Sequence, residues 1–158
     1  MVPPANTPPT LYLICGLPGA GKTTVARQLE AQQRALRLCP DEWIAKILAD
    51  PADIPELDRL RAPVEEIQWE LAQRALILGL DVVLEYGFWS RAERAHFRAG
   101  AEALGARVEL IYLKVERDEL WARLERRNAS LPPGTFQVRE ADLDLWLSWF
   151  EEPTPDEF

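Results

Sequence analysis

Residues Gly16-Leu17-Pro18-Gly19-Ala20-Gly21-Lys22-Thr23 have the spacing G-x-x-x-x-G-K-[ST], and each residue type suits one task at a polyphosphate. Glycines let successive backbone amides turn inward around an anion, and a helix starting at the end of the run adds its positive pole. Lys22 can reach β- and γ-phosphates, and the Thr23 hydroxyl can ligate Mg²⁺. Gly16, Pro18, Gly19, Ala20, Gly21, Lys22, Thr23 and Thr24 are therefore the candidates to hold ATP, with Thr23 also a metal ligand. A phosphate loop by itself does not separate a kinase from a switch or a motor.

The residues that discriminate lie further along the chain. Asp41 follows a short apolar run, where a carboxylate can accept the proton of an attacking hydroxyl; the same residue can cap a helix. Glu42 is expected to be an ordinary first-turn acid, and Trp43 either core or pocket wall. Glu85 ends another apolar run and is a second candidate for the Mg²⁺ shell; the alternatives are contact with substrate or a strand-end acid facing solvent. The aromatics of Tyr86-Gly87-Phe88-Trp89 can either shape a substrate pocket or pack under the next helix. Arg123, Arg126 and Arg127 share one side of a helix, a concentration of like charge that an arriving anion would relieve. Arg123 and Arg127 are assigned to catalysis with Lys22 and Asp41, and Arg126 to nucleotide binding. Arg91, Arg94 and Arg98 form a second basic strip, expected to be a solvated face, and His96 is expected at the surface.

These residues need a scaffold that alternates strands and helices. Apolar runs predict strands at 11–15, 36–39, 81–85 and 107–114. Helices are predicted at 22–33, 41–49, 91–104, 117–127 and 140–150, plus a long helix whose buried face carries Val64, Ile67, Leu71, Ala75 and Leu78 and which Gly79 ends. Residues 50–63 contain three prolines and read as an irregular connection; residues 128–137 read as a mobile loop. The four prolines of residues 1–10 suggest a disordered lead-in, leaving 11–158 as one domain with a lid around 123–137. Such alternation predicts a three-layer α/β fold with a parallel sheet. Only four strands are visible.

Composition limits the alternatives. The chain has 158 residues, enough for one core, and its net charge of −8 weighs against a nucleic-acid partner. No apolar run is long enough to cross a bilayer, and a cytoplasmic location is expected. Two cysteines and one histidine do not make a Cys/His zinc site; Cys15 and Cys39 are expected to be free, buried thiols. Oligomeric state is not legible, because the Leu143–Phe150 stretch suits either core or interface.

The phosphate loop, Pro40-Asp41-Glu42-Trp43, Glu85-Tyr86-Gly87-Phe88-Trp89 and Leu124-Glu125-Arg126-Arg127-Asn128, in that order, resemble AAA_33-type phosphate-loop kinases. That group is related to chloramphenicol phosphotransferase, zeta toxins and polynucleotide kinase domains. The resemblance spans residues 11–150. It implies an adenylate-kinase-like phosphate-loop NTPase fold with strand order 2-3-1-4, ATP as donor, Asp41 as the base and Arg123 with Arg126 or Arg127 in the lid. The expected activity is transfer to a hydroxyl of a small molecule: an antibiotic, nucleoside or sugar derivative. The alternatives are a polynucleotide 5′-hydroxyl kinase, a toxin-like kinase acting on a nucleotide sugar, and a non-catalytic ATP-binding switch. Ile44 stands where polynucleotide kinases carry the Arg of D-x-x-R. With no fifth strand, either Phe150 and the Glu151–Pro155 tail complete the adenine pocket or the ordered domain is unusually short. The strand order also places another strand between those that end at Cys15 and Cys39, too far apart for a disulfide.

Overall fold

A computed structural model describes residues 7–158. Four parallel strands, β1 (Thr10–Cys15), β2 (Leu36–Leu38), β3 (Val82–Gly87) and β4 (Arg107–Tyr112), form one sheet in the order β2-β3-β1-β4. The helices are α1 (Lys22–Gln33), α2 (Pro40–Ile47), α3 (Ile54–Ile77), α4 (Arg91–Ala103), α5 (Arg117–Ser130) and α6 (Glu140–Trp149). β1 is buried along its whole length, as a strand covered on both faces must be. One face of the sheet packs Leu11, Leu13 and Leu84 against Ala72, Ala75, Phe97 and Ala101 of α3 and α4. The other packs Tyr12, Ile14 and Val83 against Ala26 of α1. Cys15 and Cys39 are both free and buried, with β3 between their strands. His96 is exposed. β1 begins at Thr10, whose amide donates to Asp81 Oδ1 at 2.7 Å; residues 1–6 of the expected lead-in lie outside the described residues.

The structure departs from expectation in α3. This helix starts at Ile54 and absorbs most of the segment expected to be irregular. Asp53 caps it by accepting the Glu56 amide at 3.0 Å, and Pro55 falls in the first turn, where its missing N–H has no intrahelical partner to lose. Only Pro63 is interior. The buried face is also rotated from the expected one. Val64 and Ala75 are inside, but Ile67, Leu71 and Leu78 are exposed, and Gln68, Ala72 and Leu76 take their places. Small residues Ala72 and Ala75 bring the helix close to the sheet, which outweighs the pattern of large apolar side chains.

Other boundaries move less. α5 continues to Ser130, so Asn128 is helical; its side-chain amide donates to Val138 O (2.6 Å) and accepts from Val138 N (3.0 Å), tying down the segment after the helix. That segment lies on α2: Phe136 packs with Ile44, Leu57 and Val64, and a Cβ placed on Gly134 would meet Glu42 Cγ at 2.9 Å.

The basic strip of α4 is not a solvated face. Arg94 is 2% exposed and holds Glu157 at 2.6 Å; Arg98 donates to Glu157 O at 2.5 Å, and Arg91 pairs with Asp156. The three arginines clamp residues 154–157 against α4, beside Leu13 and Leu110 of the sheet. Among the described residues no fifth strand exists. Instead the chain leaves α6 at Phe150, which stacks on Tyr112 of β4, and Glu151 N donates to Trp89 O at 2.8 Å.

Candidate active site

The phosphate loop turns because Gly19 (φ 86°) and Gly21 (φ 95°) adopt left-handed backbone that other residues rarely enter. Gly19 also sits against α5, where an added Cβ would meet Leu120 O at 3.2 Å and Leu124 Cγ at 3.1 Å. Gly21 is the N-cap of α1, and no acidic residue occupies the first turn, so the helix's positive end is left for an anion. Pro18 is half-buried, Ala20 is buried and Thr24 is exposed at the start of α1.

The far side of the loop is braced by the residues after β3. Gly87 (φ 86°) and Phe88 (φ 50°) are both left-handed. For a bulky residue such as Phe88 this costs about 1–2 kcal/mol. The strain turns the Gly87 carbonyl toward the Gly16 amide (3.0 Å), while Trp89 Nε1 donates to Gly16 O at 3.3 Å. Phe88 itself is fully buried against Tyr86 and Phe97. Of the two expectations for these aromatics, the packing one describes Phe88, and Trp89 supports the loop.

Lys22 Nζ donates to Leu17 O at 2.9 Å. Burial lowers its pKa to about 8, and the charges of Glu85 and Asp41 partly resist that shift. Thr23 Oγ1 donates to Glu85 Oε1, so the two residues expected to share Mg²⁺ touch each other. Glu85 Oε2 accepts from Arg37 Nη1 at 2.8 Å, and Arg37 Nη2 also reaches both oxygens of Glu42, at 2.8 and 2.7 Å. Glu42 is therefore not an ordinary first-turn acid: it completes a buried network whose centre, Arg37, sequence reasoning missed. Burial opposes the Arg37 charge, but hydrogen bonds to Glu42 and Glu85 prevail and hold it well above the usual arginine range. A signal was available, since Arg37 sits between two apolar residues of a strand covered on both sides.

Asp41 lies in the first turn of α2, and its Oδ1 accepts from Arg61 of α3 at 2.8 Å. Arg61 was also missed, because the segment containing it was not expected to be helical. Arg127 of α5 is half-buried and feels the charge of Asp41; its Nη2 donates to Phe136 O at 3.4 Å, and its buried Nε has no hydrogen-bond partner among the described residues. Burial lowers its pKa, with Asp41 opposing. Arg123 donates to Glu119 at 2.8 Å and to Gly19 O of the phosphate loop at 3.4 Å. Arg126 is exposed and, among the described residues, makes no ion pair. Arg123 thus touches the loop and Arg127 sits within the field of Asp41, while Arg126 stays in solvent.

Beside the loop lies a cavity of about 290 Å³. Leu17, Val115, Leu120, Leu147 and Phe150 supply its apolar walls, and Lys114 and Glu152, paired at 2.8 Å, stand at its edge.

The fold has counterparts among solved structures. A provisionally assigned kinase of Chloroflexus aurantiacus superposes with TM-score 0.75 at 23% identity, over 94% of this chain and 84% of that one. Kti12 of Chaetomium thermophilum, solved with ADP-AlF3, gives TM-score 0.70 at 19% identity over 92% and 82% of the two chains. A gluconokinase from Sinorhizobium meliloti 1021 gives 0.62 at 18% identity over 94% and 78%. At these identities the likeness establishes the fold. No curated protein matches the chain by sequence. The AAA_33 family, described as an AAA domain, matches residues 11–153. With nearly the whole domain inside that match, the chain belongs to the AAA_33 family, and its fold is that of the nucleotide-binding phosphate-loop kinases.

Proposed function

We propose that this protein is an ATP-dependent kinase that transfers the γ-phosphate to a hydroxyl of a small molecule. The observation that carries this reading is that Asp41, Glu85 and Arg127, from three other elements, all lie close enough to Lys22 of the phosphate loop for their charges to act on it, at the carboxyl ends of the strands. The loop amides and Lys22 bind the phosphates; with a pKa near 8 the lysine is still charged at pH 7. The cavity beside Leu17, with apolar walls and a charged edge, receives the nucleotide base, closed by Phe150 in place of a fifth strand.

The oxygen donors of Thr23 and Glu85 suit a hard cation, and these two residues would hold Mg²⁺, which supplies charge neutralisation at the transferring phosphoryl group. Asp41 orients the acceptor hydroxyl and takes its proton as the oxygen attacks phosphorus; the bond from the γ-phosphorus to the bridging oxygen breaks, and its electrons leave on ADP. Arg127, with a buried Nε free, gains an anionic partner when the phosphates arrive. Arg123 fixes the loop through Gly19, and Arg126 can swing from solvent onto the nucleotide. The segment 131–139, seated on α2, excludes water that would otherwise hydrolyse ATP.

The test is ADP release from Mg·ATP across a panel of hydroxyl compounds, with a 5′-hydroxyl oligonucleotide included. Turnover that needs both Lys22 and Asp41 supports the reading. Stimulation by the oligonucleotide alone would reassign the acceptor, and tight ATP binding without transfer to any member would favour a switch.

A further inference from the structure

β2 is an edge strand, and its central residue is an arginine. Arg37 pairs in register with Val83 of β3, which packs on α1. Side chains alternate along a strand, so Val83 and Glu85 share that face, and Arg37 lies on it too. Its guanidinium reaches a carboxylate from each of three elements. Nε donates to Glu30 of α1 at 3.3 Å, Nη1 to Glu85 of β3 at 2.8 Å, and Nη2 to Glu42 of α2 at 2.8 and 2.7 Å. Only the rigid fork of an arginine spans three acids in this way; a lysine ammonium is a compact point donor.

The carboxylates are not shared alike. Glu42 gives both of its oxygens to Arg37, whereas Glu85 gives Oε2 alone and keeps Oε1 for the Thr23 hydroxyl. The strongest form of an arginine–carboxylate pair engages both oxygens, so the Glu85 pair stops short of it. The terminal torsion of a glutamate is broad and two-fold, and nothing within the side chain selects the oxygen that faces Thr23. Arg37 makes that selection: by occupying Oε2 it leaves Oε1 beside the hydroxyl. Glu42, gripping Nη2 from α2, keeps the guanidinium itself from turning. The side chains of Arg37 and Glu85 are almost fully buried, so water does not compete for these bonds.

We infer that Arg37 is a positioning residue for the metal, holding Glu85 so that a single oxygen is presented next to Thr23, where the two would hold Mg²⁺. The inference rests on the phosphotransfer reading above in placing the metal between Thr23 and Glu85. Arg37 touches neither nucleotide nor metal in this role; it acts through Glu85. It also explains why a charge is buried in a strand where an apolar side chain would pack as well: an apolar residue would leave the carboxylate free to turn.

The experiment measures ATP binding by calorimetry on the full chain, once with Mg²⁺ and once with EDTA; the ratio of the two affinities is the gain due to the metal. Arg37→Lys keeps the charge but loses the fork. It should shrink the gain about tenfold or more, the usual cost of losing a partner behind a metal ligand, and leave affinity in EDTA unchanged. In a Glu85→Gln background the same substitution should change the gain no further, because the two residues act as a unit. Glu42→Ala, at a half-buried site, should shrink the gain in the same direction, and circular dichroism checks that each variant is folded at the assay temperature. The inference is overturned if Mg²⁺ gives the wild type no gain, or if Arg37→Lys keeps the full gain. It is equally overturned if Arg37→Lys weakens binding alike with and without metal, or lowers the gain as much in the Glu85→Gln background. Should Arg37→Lys not fold, an unchanged gain in Glu42→Ala overturns it. Metal-dependent ATP binding with these responses, but no ADP release with any hydroxyl compound, would refute phosphotransfer and leave the role of Arg37 standing.

Discussion

Replacing Arg37 by Met tests whether the site depends on its buried ion network. The side chains of Arg37 and Glu85 are only 9% and 4% exposed, so Met leaves Glu85 as a charge away from water with Thr23 as its remaining partner. Removing one member of such a pair typically costs about 3–5 kcal/mol, much of it for the stranded partner. Glu42, more exposed at 31%, contributes at most about 1 kcal/mol to that loss. At roughly 2–4 °C per kcal/mol for a domain of this size, the melting temperature should fall by roughly 6–20 °C. Urea unfolding at pH 8 is the assay, run beside the Arg37→Met/Glu85→Gln double variant. Gln can still accept from Thr23 but carries no charge, so the double variant should recover most of the lost stability. A single-variant loss under about 1 kcal/mol, or no recovery in the double variant, would refute the argument that the buried Arg37–Glu85 pair holds this part of the fold together.

Lys22 has a pKa near 8, so ATP binding at that pH should draw about half a proton from solution, read by calorimetry in buffers of different ionisation enthalpy. Lys22→Ala should abolish the uptake. Asp41→Asn should retain ATP affinity and lower transfer by about 10²–10⁴-fold, the usual contribution of a positioned base, checked by single-turnover kinetics. Glu65 is raised from 4.5 to about 7, so its protonated form favours the folded state. That contribution is complete below pH 4.5 and lost as pH rises through 7, and Glu65→Gln should be more stable than wild type at pH 8 by up to roughly 3 kcal/mol in urea unfolding. Glu157 shifts the opposite way, to about 2, through its hydrogen bonds with Arg94. Its contribution is present above about 4.5 and lost as pH falls toward 2, so Glu157→Gln should flatten the acid limb of the stability profile.

What could be read from the sequence was local or set by topology. The phosphate loop, Asp41 opening α2 and Glu85 near the end of β3 are short patterns whose neighbours in the chain dictate their geometry. The strand order came with the family resemblance, and the sheet adopts it. Partners across elements were not legible. Arg37 meets Glu85 only once β2 has paired with β3, and Arg61 meets Asp41 only once α3 has packed on α2; no spacing rule encodes those distances. The rotation of α3 was misread because Ile67, Leu71 and Leu78 carry the larger hydrophobic signal, whereas close approach to the sheet depends on Ala72 and Ala75. The Arg91–Arg98 strip was misread for a related reason: its counter-ions lie about sixty residues away, in the segment that stands where a fifth strand was sought.

The strained turn at Gly87–Phe88 divides the molecule mechanically. Its carbonyls are held by Gly16 N from β1's end and by Arg94 Nη1 of α4 at 2.9 Å, and Arg94 is in turn locked to Glu157. Phosphate loop, central strands, α4 and terminal segment are thus joined into one block by a continuous run of hydrogen bonds and ion pairs. On the opposite side, α2 and segment 131–139 meet through Gly134 against Glu42 and a small apolar contact at Phe136. The contacts that segment 131–139 makes with α2 are thus separate from the hydrogen bonds that hold the block together.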